Sequence, residues 1–270
     1  MSQYQAELLE QRKKLDADLR NENSWLALVG LFWLDEGRNT FGASDENDIT
    51  FPGADLPAQI GAFIVDGDAV TLQVTADTPV DVDGVPAKEA LLRPDSSGSP
   101  TLLKLGALAF ILLQREDGYA IRLWDNASPE RESFPGRQWY PVDENYRIEG
   151  RYERFSAENI VSFGRRNGSD FEANVEGVIH FNIAGQALSL LARGNPDEGD
   201  LFVMFRDATN SAETYGSGRY LSVAAPKDGQ IVIDFNRAYN PPCAFTPYAT
   251  CPLPPAQNHL PVAILAGERK

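Results

Sequence analysis

Apolar and polar positions along the chain divide it into one helical stretch and a long series of short extended ones. Tyr4, Leu8, Leu15 and Leu19 recur at helical spacing with charges between them, which predicts one amphipathic helix at the N-terminal end. No other long helical pattern follows. Residues 26–34 are an apolar run, Asp35-Glu36-Gly37 is a turn signal, and residues 38–41 resume an extended chain. Further strands are predicted over 62–65, 69–74, 79–82, 108–114 and 119–124, punctuated by Gly67, Gly84, Gly106 and Gly118. Past "NASPERESFPGRQWYPV" a second β-rich half begins. Residues 146–155 alternate, "ANVEGVIHFNIAGQALSLLA" reads as a hairpin turning at Ala184-Gly185-Gln186, and strands are predicted over 201–206, 219–223 and 230–236. Many short strands with frequent turns indicate a mainly β protein of sandwich or barrel type. The expected organisation is a helix over 1–22, a β-sandwich over 23–128 and a second β-rich domain over 129–270.

One segment departs from this cadence. "DFNRAYNPPCAFTPYATCPLPPAQN", residues 234–258, holds six prolines, both cysteines of the chain, four aromatic rings and two charges, Asp234 and Arg237. At the overall charged fraction of 23%, residues 229–267 would carry about nine charges, yet those two are all they have. Proline fixes φ and removes an amide donor, so such a strap can lie on an apolar surface without stranding N–H groups. Two readings stay open. Asp234 and Arg237 either pin the strap by pairing with Arg219 or Arg206, or help frame a small-molecule site.

Charge narrows the partners. The formal net charge of −15 argues against sequence-independent binding of DNA or RNA and against an anionic membrane surface. Of the 24 cationic residues 18 are arginine, the side chain whose planar fork suits carboxylates and phosphates. The N-terminal "MSQYQAELLEQRKKLDADLR" lacks the apolar core of a signal peptide, and no stretch approaches the length of a membrane helix. A cytoplasmic location is expected, and with it reduced cysteines. No internal repeat or low-complexity linker interrupts the chain, and oligomeric state is not legible.

"GLFWLDEGRNTFG", "YPVDENYRIEGRYERF", "RDATNSAETYGSGRYL" and "DFNRAYNPPCAFTPYATCPLPPAQNHLPVAILAGE" together resemble the bacterial and archaeal proteins grouped as domain of unknown function 1684. The likeness runs over roughly residues 25 to 268, and the family has no established activity to carry over. A second, looser resemblance lies in "NTFGASDENDITFP", "GAFIVDGDAVTLQV" and "LLKLGALAFILLQREDGYAIRLWD", which is similar in cadence to a forkhead-associated β-sandwich. That family reads phosphothreonine with an Arg directly after a glycine, and with a Ser and a His in the next loop. Here Ala43 follows Gly42, and "GADLPAQIGAF" has neither Ser nor His, so the shape is implied without its phosphate readers.

Candidate chemistry is sparse. His180 and His259 are the only histidines, and no HxH or HxxxH spacing supports a metal centre, so neither metal nor cofactor is expected. No G-x-S-x-G elbow is present, and "GSGRY" is too short for a nucleotide fingerprint. Cys243 and Cys251 read as structural cysteines of the strap, with Cys243 the candidate nucleophile if one exists. The most site-like residues gather at strand ends and turns of the C-terminal half: Arg206, Arg219, Asp234, Asn236, Arg237, Tyr239, Asn240 and Tyr248. Paired arginines beside an aromatic wall suit an acidic or sugar-like ligand. For an enzyme, Asp234 is the candidate general base and Tyr215 or Tyr248 the candidate acid. A module of another class would dock a protein through the "GLFWL" edge or the proline strap. If Pro226–Gly229 closes a hairpin, Arg219 and Asp234 become diagonal neighbours, and a partly buried ion pair between them is expected.

Overall fold

The predicted amphipathic helix forms as α1, Gln3–Arg20, and it buries Leu8 and Leu19. It also buries Arg12, which the apolar pattern passes over. The computed structural model describes residues 2–270 apart from 54, 76, 78, 117 and 167. The chain is mainly β and divides into two compact units, one of Leu19–Phe134 and one joining Met1–Asp18 to Pro135–Lys270.

The unit of Leu19–Phe134 is built from β1 (Leu28–Trp33), β2 (Gly37–Gly42), β3 (Ile49–Thr50), β4 (Gly61–Asp66), β5 (Ala69–Val74), β6 (Val80–Val82), β7 (Val85–Ala87), β8 (Glu89–Leu91), β9 (Leu103–Leu105), β10 (Leu108–Arg115) and β11 (Gly118–Asp125). Among the described residues they make two sheets, ordered β3-β2-β4-β5-β8 and β1-β11-β10-β9-β6-β7. Both contribute to one core in which alternate residues point inward. At its centre Phe41 stacks on Phe63 at 4.7 Å and Phe51 meets Phe110 edge-on at 5.2 Å. Ring pairs at these separations add to the burial energy of the rings themselves.

The other unit carries β12 (Arg147–Arg154), β13 (Ile160–Gly164), β14 (Asp170–Asn174), β15 (Gly177–Ile183), β16 (Gln186–Ala192), β17 (Leu201–Phe205), β18 (Arg219–Val223) and β19 (Gln230–Asp234). Its main sheet runs β16-β15-β12-β19, antiparallel throughout. The hairpin of β15 and β16 turns where the sequence places it. Ala184 and Gly185 both adopt positive φ, 51° and 74°, the twist a two-residue hairpin turn needs. Tyr152, Ile179, Phe181, Ile231 and Ile233 face the core, while Glu149, Arg151, His180, Asn182, Ser189 and Gln230 lie exposed on the opposite face.

The expected hairpin of β18 and β19 does not form. Pro226–Gly229 reverses the chain, but β18 pairs with β17, and β19 crosses to pair with β12. The two strands therefore belong to different sheets, and Arg219 and Asp234 take separate partners. A turn signal fixes a change of direction and leaves the choice of partner strand to the core.

The strap after β19 is largely buried and is stitched down by backbone bonds. Tyr239 and Tyr220 exchange N–H···O bonds of 2.9 and 2.8 Å, Leu253 N donates to Gly164 O at 2.8 Å, and Arg166 N donates to Cys251 O at 3.0 Å. Tyr220 adds a hydroxyl bond to Pro252 O at 2.6 Å. The low charge of the segment follows from this burial, since isolated charges on such a path would stay desolvated.

Candidate functional site

Alternation along β12 puts Glu149, Arg151 and Glu153 on the outer face of the main sheet. The register then sets His180 beside Arg151, Ser189 beside His180, and Gln230 on the other side of Arg151. Ser189, His180, Arg151 and Gln230 thus form one row across four strands. Side chains opposite one another in antiparallel strands lie close enough to act together.

The chain at 257–261 walls one side of this row. Asn258 holds it there by acting as a rung of the ladder, with its Oδ1 accepting from Leu191 N at 2.7 Å. Its Nδ2 donates to Leu191 O at 3.0 Å and Met204 O at 2.7 Å. Arg206 N donates to Asn258 O at 2.9 Å, and Leu260 N donates to Arg206 O at 2.8 Å. With Asn258 pinned and buried, the next residue, His259, is exposed.

The result is an open cleft of about 600 Å³ lined by Arg151, His180 and His259 together with Glu149, Asn182, Ser189, Gln230 and Gln257. Both histidines of the chain, separated by 79 positions in sequence, line it. The His180 Nε2 lies 3.3 Å from Glu153 Oε2. Among the described residues no group of three or more His, Cys, Asp or Glu side chains is arranged to hold a metal ion.

Most of the residues singled out from sequence lie elsewhere and apart from one another. Arg219 is fully buried. Its Nη2 donates to Asp207 Oδ2 at 2.8 Å and to Ile264 O at 3.0 Å, while Nη1 donates to the carbonyls of Ala266 and Glu268. The expected pair of Arg219 with Asp234 is therefore replaced by Arg219 with Asp207. Asp207 Oδ1 in turn accepts from Thr209 N at 2.8 Å and Thr209 Oγ1 at 2.5 Å, and Thr209 meets Thr214 at 2.8 Å. Just before Arg219, Gly218 has φ of +97°, and a Cβ there would sit 2.5 Å from Phe205 O. "RDATNSAETYGSGR" thus folds around one buried guanidinium.

Asp234 and Arg237 do come together, at a second cleft of about 670 Å³ that Tyr4 and Arg147 also line, with Asn236 buried behind them. Tyr4 Oη donates to the Asp234 carboxylate at 2.9 Å, Arg237 Nε at 3.0 Å and Asn236 Nδ2 at 3.1 Å. Burial and the bond to Asp234 push the Tyr4 phenol up to about 12. The Asp234 carboxylate is thus enclosed by donors of the protein itself.

The remaining residues are apart. Asn240 is buried, with its N–H on Glu268 Oε2 at 2.7 Å, and Tyr239 is fixed by its backbone to Tyr220. Arg206 is half-buried beside Asn258, and Tyr248 is exposed. Tyr215 donates to Cys243 O at 2.7 Å, and its phenol is raised to about 12, chiefly by burial. Missing from the sequence reading are Arg151, Asn182, Ser189, Gln230 and Gln257. The alternation of "RIEGRYERF" marks Arg151 as outward-facing, but nothing local reveals which strands flank it.

The model of the family described as "Protein of unknown function (DUF1684)" matches residues 132–269, half of the chain. The chain belongs to the DUF1684 family. It is also similar to an uncharacterized protein of Haloarcula marismortui solved by solution NMR. The identity is 30% over 52% of this chain and 80% of that one, with a TM-score of 0.43. No curated protein matches. The DUF1684 region contains every strand of the main sheet, the outer cleft, the Arg219 network and the strap. No helix among the described residues is long and apolar enough to cross a membrane.

Proposed function

We propose that the chain binds a small acidic or sugar-like molecule in the cleft on the outer face of β12, β15, β16 and β19. The observation that carries this reading is the convergence of Arg151, His180 and His259 with the amides of Asn182, Gln230 and Gln257 around one opening. Among the described residues Arg151 and His259 have no side-chain bond to the protein, so their donors are free for a ligand. A planar guanidinium flanked by imidazoles and amides suits a carboxylate or phosphate on a molecule that also carries hydroxyls. Arg151, His180, Asn182 and Gln230 stand on paired strands, so their backbone needs little ordering when the ligand arrives.

A thermal-shift series against carboxylates, sugar acids and phosphate esters tests it. A true ligand stabilises the folded state by about 2.7 kcal/mol at a hundred times its Kd. That gain is expected with the unmodified chain and is expected to vanish in Arg151→Ala and His259→Ala. An equal gain in Arg151→Ala would exclude the cleft as the site. A second reading, docking of a protein partner, has one observation in its favour: β1 is an edge strand and Trp33 on it is 41% exposed.

A further inference from the structure

We propose that Cys243 and Cys251 are a redox dithiol that closes to an intrachain disulfide when a peroxide oxidises it. The two residues stand eight positions apart on the strap and both are buried. The Cys243 backbone N–H donates to Cys251 Sγ at 3.2 Å. A sulfur that close to the other cysteine's main chain stands within a side-chain rotation of that cysteine's thiol, the approach a disulfide requires.

The backbone on both sides is anchored independently of the sulfurs. Tyr215 Oη holds Cys243 O, Arg166 N holds Cys251 O at 3.0 Å, and Tyr220 Oη holds Pro252 O. With those carbonyls held, the sulfurs come together on oxidation chiefly by rotation of their side chains. The two thiols are also unequal. The neighbouring Cys251 thiol holds the Cys243 thiol below the usual range, with Tyr215 and Arg166 adding to it against the cost of burial. Its proximity to Cys243, together with burial, pushes Cys251 up. This asymmetry assigns the roles, since the thiolate is the nucleophile.

The chemistry balances in two steps. The Cys243 thiolate attacks a hydroperoxide oxygen; an S–O bond forms, the O–O bond breaks, and an alkoxide or hydroxide leaves. The resulting sulfenic acid meets the Cys251 sulfur, which gives up its proton as it attacks. An S–S bond forms, the S–O bond breaks, and hydroxide takes that proton to become water. Two electrons pass from the two sulfurs to the peroxide, and a reducing thiol reverses the change.

Trypsin releases both cysteines in one peptide, residues 238–269, because no Lys or Arg lies between Arg237 and Arg269. After brief treatment of the whole chain with hydrogen peroxide, that peptide is expected to lose two hydrogens and all reactivity toward iodoacetamide. Dithiothreitol restores both, and the melting temperature of the oxidised form rises by about 5 °C. In Cys251→Ser, dimedone is expected to trap a sulfenic acid at Cys243; in Cys243→Ser, Cys251 stays a free thiol. Two alkylatable thiols after peroxide, or oxidation that stops at separate sulfinic acids, overturns the proposal. So does trapping at Cys251 alone. If a serine variant fails to fold, the peptide from the unmodified chain decides by itself.

Discussion

Arg219 and Arg151 are both strand residues of the same unit, and they have opposite fates. Arg219 is fully buried, and its two terminal nitrogens are taken by Asp207 and by three carbonyls from the last residues of the chain. Arg151 stands exposed on the outer face, with no described side-chain partner, in a cleft that two histidines share. Near the first, a dense cluster of polar residues in sequence turns out to be scaffold. Near the second, an unremarkable alternating strand supplies the opening. An arginine's role is decided by how many acceptors the fold brings to it, and acceptors on backbone carbonyls leave no trace in composition.

The comparison is broken or sharpened most strongly at Arg219. Replacing it by Met leaves the Asp207 carboxylate buried without its cation, and a loss of about 3–5 kcal/mol is expected in urea denaturation. A loss below about 1 kcal/mol would mean that Arg219 is no more than an ordinary surface arginine. Next in size is Asn258→Ala, which strips partners from Leu191 N, Leu191 O and Met204 O. About 1–3 kcal/mol is expected by the same measurement, with the cleft's ligand response falling too because His259 loses its anchor. If binding survives unchanged, the wall at 257–261 is not held by Asn258.

A smaller effect comes from alkaline pH. Phenols in the unfolded chain titrate near 10, whereas Tyr4 and Tyr215 in the folded unit are raised to about 12. Between those values the folded state keeps protons that the unfolded state has released, so stability falls as pH rises from about 10 to 12 and is untouched by these groups below. Urea midpoints measured across that range should flatten in Tyr4→Phe. An identical slope would show that the Tyr4 bond to Asp234 does not form. The smallest effect is expected at Arg151→Ala, within about 0.5 kcal/mol of the unmodified chain, because nothing in the fold leans on it. A large loss there would erase the contrast with Arg219.

Short strands and their turns were legible because alternation and positive-φ residues are local properties. Both strands of the hairpin at Ala184-Gly185 fall where the pattern puts them, as do Ala69–Val74 and Arg219–Val223. Strand pairing was not legible. β19 joins β12, whose residues lie some eighty positions earlier, although a clear turn connects β19 to β18. From that one error followed the mistaken partner of Arg219. The cleft escaped notice for a related reason: His180 and His259 meet only through the register of β15 and the side chain of Asn258. Asp234 and Arg237, expected to pair with Arg219 or Arg206, pair with each other instead, and their enclosure by Tyr4 and Asn236 depends on a helix more than two hundred residues away.

That helix has a consequence for the order of events during synthesis. Leu19–Phe134 is continuous in sequence, so it can collapse around its phenylalanines while the ribosome is still adding residues. The other unit has no such freedom. Arg12 in α1 donates to Tyr140 O and Asn236 O, and the acceptors of Arg219 include Ile264, Ala266 and Glu268. Its first residues must wait, solvated and unpaired, until nearly the last ones emerge. Closing so long a loop is slow. A nascent chain stalled short of residue 264 should therefore hold one protease-resistant body followed by a soft, digestible one.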